Sequence, residues 1–485
     1  NTVERRPGAI QRHTEDGTIT IDQSLSGVRL AATMETEIDI HVDMRYIHDY
    51  DTEGRIYNIE RDDTTRITYT KYETDECTTP AYDETLRIDA ANWSSTEEWT
   101  PKTYEYDERR GIKSDFWVFN AGSITIEPNR PAHIHIPLSQ RHQTIPVLKE
   151  YGYEDNDELR IAAGYPWFHD AWSRDEIISL EPIIEHAPGV ARDLLVSAAE
   201  RDQGKQSVDG SSLASADTPG WLARRARQLI KRSTALDDQT IISDYLERRW
   251  EDVNRHDDLI TNEARETWVD TDGGTDDDRR GIRIEIQAGW LEALRFLTEH
   301  ADESYQETYE TVKQGVQQHL VKSGVAYDGR EDGVLDWRRR PNVFLAYYLH
   351  SDMLPDAVWE QTFDRVIDAC WLDWGGLSSI GTEDSLFCSH HTGVDNWSYH
   401  RGDSWYYVNN IAAMALHDLN PQKYLKYVEA IRRASRKDKE NHGAIGACSE
   451  ISSAAEQTSH GCFSQAWSDA TLRELNRRLT QDRLS

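Results

Sequence analysis

The sequence predicts an α plus β multidomain protein, with an N-terminal antiparallel β-sandwich over residues 1–139 and a helical domain over 140–485. Three observations predict it. Apolar residues repeat every second position up to about residue 138, and every 3.6 positions after a connector near 139–160. Turn signals cut the first part into short runs. The 485 residues leave room for one large domain and a smaller one.

Taken in order, residues 1–16 read as a loose lead-in. Strands follow at Thr18–Ile21, Glu37–Asp43, Ile67–Tyr72, Ser123–Ile126 and Ala132–Ile136. Their alternation of apolar and polar residues suits sheets with one packed face and one wet face. His133 and His135 share a strand face, but no third ligand is evident, so they read as solvated histidines. Beyond the connector, Leu222, Ala226, Leu229 and Ile230 mark one helix, and Ile284, Ala288, Leu291 and Leu294 another. Further helices are expected near 174–186, 188–202, 237–254, 302–321, 342–350, 355–370, 404–418, 421–435 and 464–479. Together they make about eleven, arranged as successive hairpins. A closed (α/α)6 toroid would use twelve. No repeat of 20–50 residues stands out, which disfavours an open solenoid.

Acidic residues number 87 against 54 basic ones, a formal net charge of −33, and only 12 of the basic residues are lysine. This is the balance of a protein that works in concentrated salt, where the Debye length falls to roughly 3 Å at 1 M and carboxylates can crowd a surface. Disorder is disfavoured by 16 Trp and 22 Tyr. The charge excludes nucleic acid and anionic membranes as natural partners. No apolar run approaches the roughly 20 residues that cross a bilayer. No signal peptide pattern is visible, and because the chain begins at Asn1, a preceding N-terminal portion stays open. The cysteines (Cys77, Cys370, Cys388, Cys448, Cys462) are scattered and include no C-x-x-C pair. They read as reduced thiols in a cytoplasmic setting, with no zinc site.

Dinucleotide, phosphate-loop, nucleophile-elbow and zincin motifs are all missing. The loop Asp270–Asp278 has a calcium-loop look, but its glycines and terminal acid are misplaced, so no metal is expected. What remains is acids and aromatic rings. Tyr165, Trp167 and Trp172 surround an Arg174–Asp175 pair. Indoles stack on the C–H faces of sugars, and planar charged groups grip hydroxyls, so this cluster reads as a carbohydrate pocket. Further blocks are Glu266–Asp270, Arg280–Trp290, Ser398–Tyr407, Gly446–Glu450 and Gly461–Trp467. Glycoside hydrolysis needs a carboxylic acid to protonate the leaving oxygen and a carboxylate to activate water or stabilise the cation. Asp270, two residues after Trp268, suits the proton donor, because an acid beside an indole is desolvated and its pKa rises. Glu450, in a glycine-bounded loop, suits the base. Spacing alone does not separate either from surface decoration in so acidic a chain.

Gly164-Tyr-Pro-Trp-Phe with Trp172-Ser-Arg-Asp175 resembles the Y-P-W-F-x-x-W-G-R-D signature of glycogen debranching enzymes, in their amylo-α-1,6-glucosidase domain. Thr267-Trp-Val-Asp270 is similar to that family's T-W-M-D, and Arg280-Gly through Glu285 and Trp290 to its R-x-G-x-x-V-E-I-x-A-L-W block. Arg340-Pro-Asn342, Tyr399-His-Arg-Gly through Trp405, and Gly461-Cys through Gln465-Ala-Trp467 resemble its later motifs, in family order. The resemblance implies an (α/α)6 toroid of the glucoamylase kind behind the sandwich, and inversion at the anomeric carbon. It implies Asp270 as general acid and Glu450 as general base. Arg174, Asp175 and Glu285 would hold hydroxyls of the terminal glucose, while Trp268, Trp290, His400 and Trp405 would wall the pocket beside Trp167 and Trp172. Ser173, Glu176, Val269, Gly289 and the run Asp276–Asp278 depart from the family pattern. The extra acids read as salt adaptation close to the binding loop.

The expectation is therefore a glycogen-debranching glycoside hydrolase, an amylo-α-1,6-glucosidase of a halophilic, archaeal type, cytoplasmic and free of cofactors. Its substrate would be a glycogen-like branched α-glucan; oligomeric state is not legible. Rivals are a glucoamylase or trehalase, a glycoside phosphorylase, and a non-catalytic glucan-binding protein. The composition also makes a solution prediction. Circular dichroism should show structure lost as KCl is withdrawn, and a chain equally folded without salt would contradict the halophilic reading.

Overall fold

The computed structural model describes residues 2–6, 9–24, 27–45, 53–72, 82–90, 92–104, 108, 113–128, 130–135, 145–155, 158–168, 170–201, 205–208, 211–232, 239–393, 396–444 and 446–481. The chain forms two compact units, one of residues 1–144 with 149–153 and 439–447, the other of 145–148, 154–438 and 448–485. The expected division at 139 and 140, and Cys77, lie outside the described residues.

In the N-terminal unit the strands are β1 (Thr2–Arg6), β2 (Ala9–His13), β3 (Thr18–Ser24), β4 (Gly27–Ala32), β5 (Thr36–Val42), β6 (Arg55–Arg61), β7 (Thr65–Lys71), β8 (Tyr82–Asp89), β9 (Asn92–Thr103), β10 (Asp115–Ile126) and β11 (Ala132–His135). One sheet runs β1-β2-β3-β4-β11-β8-β7-β6 and a second runs β5-β10-β9, with antiparallel pairing throughout. Side chains alternate across a pleated strand, so β7 buries Thr65, Ile67, Tyr69 and Lys71 and turns the residues between them outward. Leu30, Ile67, Ile88 and Ala132 from the first sheet share one apolar core with Ile40, Val42, Phe119, Ile124 and Ile126 from the second. Within the lead-in expected over 1–16, residues 2–6 and 9–13 are instead ordered as strands. Its ladder continues into β3, with His13 facing Thr18 across the turn, and backbone pairing of this kind leaves no hydrophobic trace in a charged sequence. The rings of His133 and His135 lie side by side, 5.9 Å between centroids, and no cluster able to hold a metal is found among the described residues.

The second unit is helical: α1 (Ser173–Ile178), α2 (Glu181–His186), α3 (Pro188–Arg201), α4 (Thr218–Arg232), α5 (Thr240–Asp252), α6 (Ile284–His300), α7 (Tyr305–His319), α8 (Asn342–His350), α9 (Asp356–Cys370), α10 (Tyr406–Leu419), α11 (Pro421–Asn441) and α12 (Ala466–Gln481). The single helix expected over 174–186 is two, because Pro182 cannot donate inside a helix and instead opens α2. Six helices pack in a closed cycle: α1 on α4, α4 on α6, α6 on α8, α8 on α10, α10 on α12, and α12 back on α1. Their sequences explain why they lie inward. All nine residues of α8 are buried, as are the first eleven of α10, whereas α7, α9 and α5 bury one stripe each. Among the described residues no helix is long and apolar enough to cross a membrane.

Gly289, a departure in the family motif, has a packing reason. It faces Gly220 where α6 crosses α4, and a Cβ added at Gly220 would lie 2.3 Å from the Gly289 Cα. Gly220→Ala should therefore cost about 1–3 kcal/mol through overpacking. A melting temperature equal to wild type would contradict that close approach.

Candidate active site

Short strands lead into several of the cycle's helices. Gly164–Tyr165 pairs with Ser464–Gln465 ahead of α12, and Ser404–Trp405 pairs with Ile451–Ser452 ahead of α10. These pairings join the segments before α1 and α12, and the segment before α10 to residues 451–452; the segment before α6 lies beside them. They line one cleft of about 310 Å³, open to solvent, with Ala163, Phe168, Trp172, Arg174, Asp175, Trp268, Asp270, Tyr399, Trp405, Glu450, Gln465 and Trp467 on its walls.

Asp270 and Glu450 both line this cleft. One oxygen of Asp270 accepts from Arg174 Nη2 at 3.1 Å, and the other lies 3.2 Å from His400 Nε2. Burial holds the His400 imidazole below its usual pKa, so it is neutral, and a proton on Nε2 points at Asp270. The ring is locked by stacking on Trp405, 5.0 Å between centroids and 3° from parallel. Trp405 in turn donates its Nε1–H to the Tyr399 carbonyl at 2.7 Å. Trp268 meets His400, Trp405 and Tyr407 edge-on.

Glu450 is gripped at both oxygens. The Tyr399 hydroxyl donates to Oε1, and the Cys462 backbone N–H donates to Oε2 at 2.8 Å. Burial, followed by the Glu450 charge, pushes the Tyr399 phenol well above its usual pKa, so it remains a donor. Gly461 lets this happen. At φ +64° a Cβ there would sit 2.2 Å from Glu450 Oε2, so no other residue leaves the carboxylate its place.

The electrostatics correct the sequence reading. Burial does push the Asp270 carboxyl upward, as its neighbouring indole suggested, but the His400 hydrogen bond and the Arg174 guanidinium outweigh it and hold Asp270 below the usual value. Asp175 is the raised acid. Burial carries it up to about 7 against the pull of Arg174, and the charges of Asp270 and Glu450 add to the rise. Arg174 is 2% exposed and ringed by acids, with Nη1 at 3.5 Å from Asp217 and Nε at 3.9 Å from Asp175.

Four expected pocket residues, Glu285, Trp290, Trp167 and His400, are not on the cleft wall. Glu285 is held by Arg279 and by Asn342 Nδ2 at 2.7 Å, so its oxygens are committed to a buried network that also takes in Asp328. Trp290 is buried against Trp250, 5.4 Å between ring centroids. Trp167 donates its Nε1–H to the Gly461 carbonyl at 3.2 Å, beneath the Glu450 loop rather than on the cleft wall. His400 acts on the cleft through Asp270. Tyr399, Gln465 and Trp467, which the sequence shows only as parts of motifs, also line the cleft, and Asp217 carries no sequence signal. Arg279, which holds Glu285, stands just ahead of the motif block that opens at Arg280, whose side chain is 56% exposed.

Two of the departures taken as salt adaptation are structural. Glu176 is fully buried, pairs with Arg201 and accepts the Ile161 N–H at 3.1 Å. Asp277 pairs with Arg340 and stands 3.3 Å from Arg401 Nε. Arg340 donates to the His400 carbonyl at 3.0 Å, and Arg401 donates to the Thr271 carbonyl at 2.9 Å. This clamp ties the backbone next to Asp270 to the backbone of its partner His400. Burial opposes the charge on Asp277, but the two arginines win and depress its pKa to about 2. Because the folded value is depressed, its stabilisation is complete above the unfolded value near 3.8 and disappears as pH falls towards 2. Asp277→Asn should cost about 3–5 kcal/mol at neutral pH, since it strands buried arginines, and the deficit should shrink on acidification. A deficit constant from pH 7 to pH 2 would refute the assignment.

Residues 234–474 match the family model described as amylo-alpha-1,6-glucosidase. No curated protein sequence matches the chain. Among solved structures, a metal-independent alpha mannosidase from Streptococcus pneumoniae, in a non-productive complex with alpha-1,6-mannobiose, is 13% identical with a TM-score of 0.48, covering 68% of this chain and 90% of its own. A GH63 mannosylglycerate hydrolase from Thermus thermophilus, in complex with glucose, is 11% identical with a TM-score of 0.45, covering 66% of this chain and 95% of its own. Likenesses this loose decide neither substrate nor mechanism. The family match, on a stretch that carries Asp270, Tyr399, Trp405 and Glu450, supports a glycoside hydrolase.

Proposed function

We propose that the protein is an inverting α-glucosidase that removes glucose from α-1,6 branch points of glycogen-like α-glucans, built as a β-sandwich (1–139) and an (α/α)6 toroid (140–485). The closed cycle of six helices supports the toroid. One observation carries the activity: Asp270 and Glu450, from loops 180 residues apart in sequence, line the same aromatic cleft.

In the proposed reaction Asp270 gives its proton to the scissile oxygen, the bond to the anomeric carbon breaks, and water adds from the opposite face as Glu450 takes a proton from it. Tyr399 and the Cys462 N–H orient Glu450 towards that water. Arg174 and Asp175 bind hydroxyls of the terminal glucose, and Trp172, Trp268, Trp405 and Trp467 pack on its C–H faces. The free site holds Asp270 ionised, so it must gain its proton on binding. Sugar hydroxyls that draw on Arg174 and expel water raise its proton affinity in that step. Among the described residues Cys370 and Cys388 are free thiols, which agrees with a reducing cytoplasm, and the acidic composition agrees with a halophilic, archaeal source.

In concentrated KCl the protein should release glucose from a glucosyl-branched dextrin in preference to maltose or trehalose, without need of phosphate. Asp270→Asn and Glu450→Gln should each lose at least about 10²–10⁴-fold in turnover while still binding glucan. Full activity in either variant, or a preference for linear maltose, would overturn this reading.

A further inference from the structure

Arg174 has five N–H donors in a rigid fork, a geometry that normally grips both oxygens of one carboxylate. Here it does not. It gives Asp270 one contact, from Nη2, while Nη1 is turned to Asp217. Asp217 is not on the cleft wall. It sits immediately before α4, 4% exposed, and its Oδ1 accepts from Ser215 Oγ at 2.9 Å. Two turns further along α4, Arg225 donates to the Ile177 and Ile178 carbonyls, at 3.2 and 2.6 Å, at the end of α1. The helix bearing Arg174 is thus tied to α4 at both ends.

We propose that Asp217 is a positioning residue that holds Arg174 to a single contact with Asp270, and so preserves the ability of Asp270 to take up the proton it must donate. This rests on the reaction proposed above for Asp270, although its structural half can be tested without turnover. Arg174 is faced by Asp175, Asp217 and Asp270, by the Tyr407 hydroxyl, and by the Trp467 ring at 5.9 Å. Asp270 is faced by Arg174 and His400, with Asp175 and Tyr399 close enough to feel its charge. Burial raises the Asp217 carboxyl against the pull of Arg174 and the Ser215 hydrogen bond, Glu285 adds to the rise, and Asp217 in turn raises Glu266 beside it. One guanidinium is therefore shared among three acids. Where Asp217 is ionised, removing its charge leaves Arg174 only Asp270 and Asp175 to neutralise, and the positive potential at Asp270 rises.

The experiment compares wild type, Asp217→Asn and Asp217→Glu by two readouts, with melting temperatures checked for each. The first is the pH profile of kcat/KM on the branched dextrin. The second is the titration of the Asp270 carboxyl carbon by ¹³C NMR, assigned by its disappearance in Asp270→Asn. Asp217→Asn should lower the basic limb of the profile and the Asp270 titration together, by about one pH unit, and Asp217→Glu should restore both. Activity that falls equally at every pH, with the Asp270 titration unmoved, would overturn the proposal and leave Asp217 a packing residue. If the wild type releases no glucose, the proposed reaction fails, and the carboxyl titration alone decides the case for Asp217.

Discussion

A single buried guanidinium sets the terms for this site. Arg174 touches the edge of the cleft and is enclosed by Asp175, Asp217 and Asp270. Three negative charges cannot all be satisfied by one positive charge in a place from which water is largely removed, so the acids divide into kinds. Asp270, held by the His400 hydrogen bond and by Arg174, stays ionised; Asp175, whose other donor is the Gln465 amide at 3.3 Å, holds its proton up to about 7, and burial raises Asp217 as well. The expectation that the acid beside the tryptophan would be the raised one was sound about desolvation and wrong about its neighbours.

Around this pair the structure spends many hydrogen bonds on backbone position. The Asp277, Arg340 and Arg401 clamp joins the loop after Asp270 to the carbonyl of His400. On the other side, Gly461, Trp167 and the Cys462 N–H fix the place of Glu450. The two carboxylates thus sit on separately braced loops, each delivered by the entry to an inward helix. Sites built on loops gain their precision from such bracing, because a loop alone would not hold a side chain to within a fraction of an ångström.

Much of this was legible in the chain. Change of apolar period located the switch from strands to helices. Tryptophans beside acids marked the cleft. What escaped detection shares one physical cause. Glu285, Trp290 and Arg279 could not be sorted into wall or scaffold, because that depends on which way a side chain turns from its own helix or loop, and spacing does not give it. Asp217 and Asp277 looked like two more acids in a chain of 87, and only burial against arginines separates them from the surface. The strands at the N-terminus escaped because their pairing is made by backbone groups that every residue carries.

The central claim is that Asp270 and Glu450 serve opposite faces of one sugar, with water attacking from the Glu450 side. The most direct measurement is proton NMR of glucose as it is first released from a glucosyl-branched dextrin, before mutarotation mixes the anomers. The account predicts that β-glucose appears first. Initial release of α-glucose would mean retention at the anomeric carbon, and would contradict it.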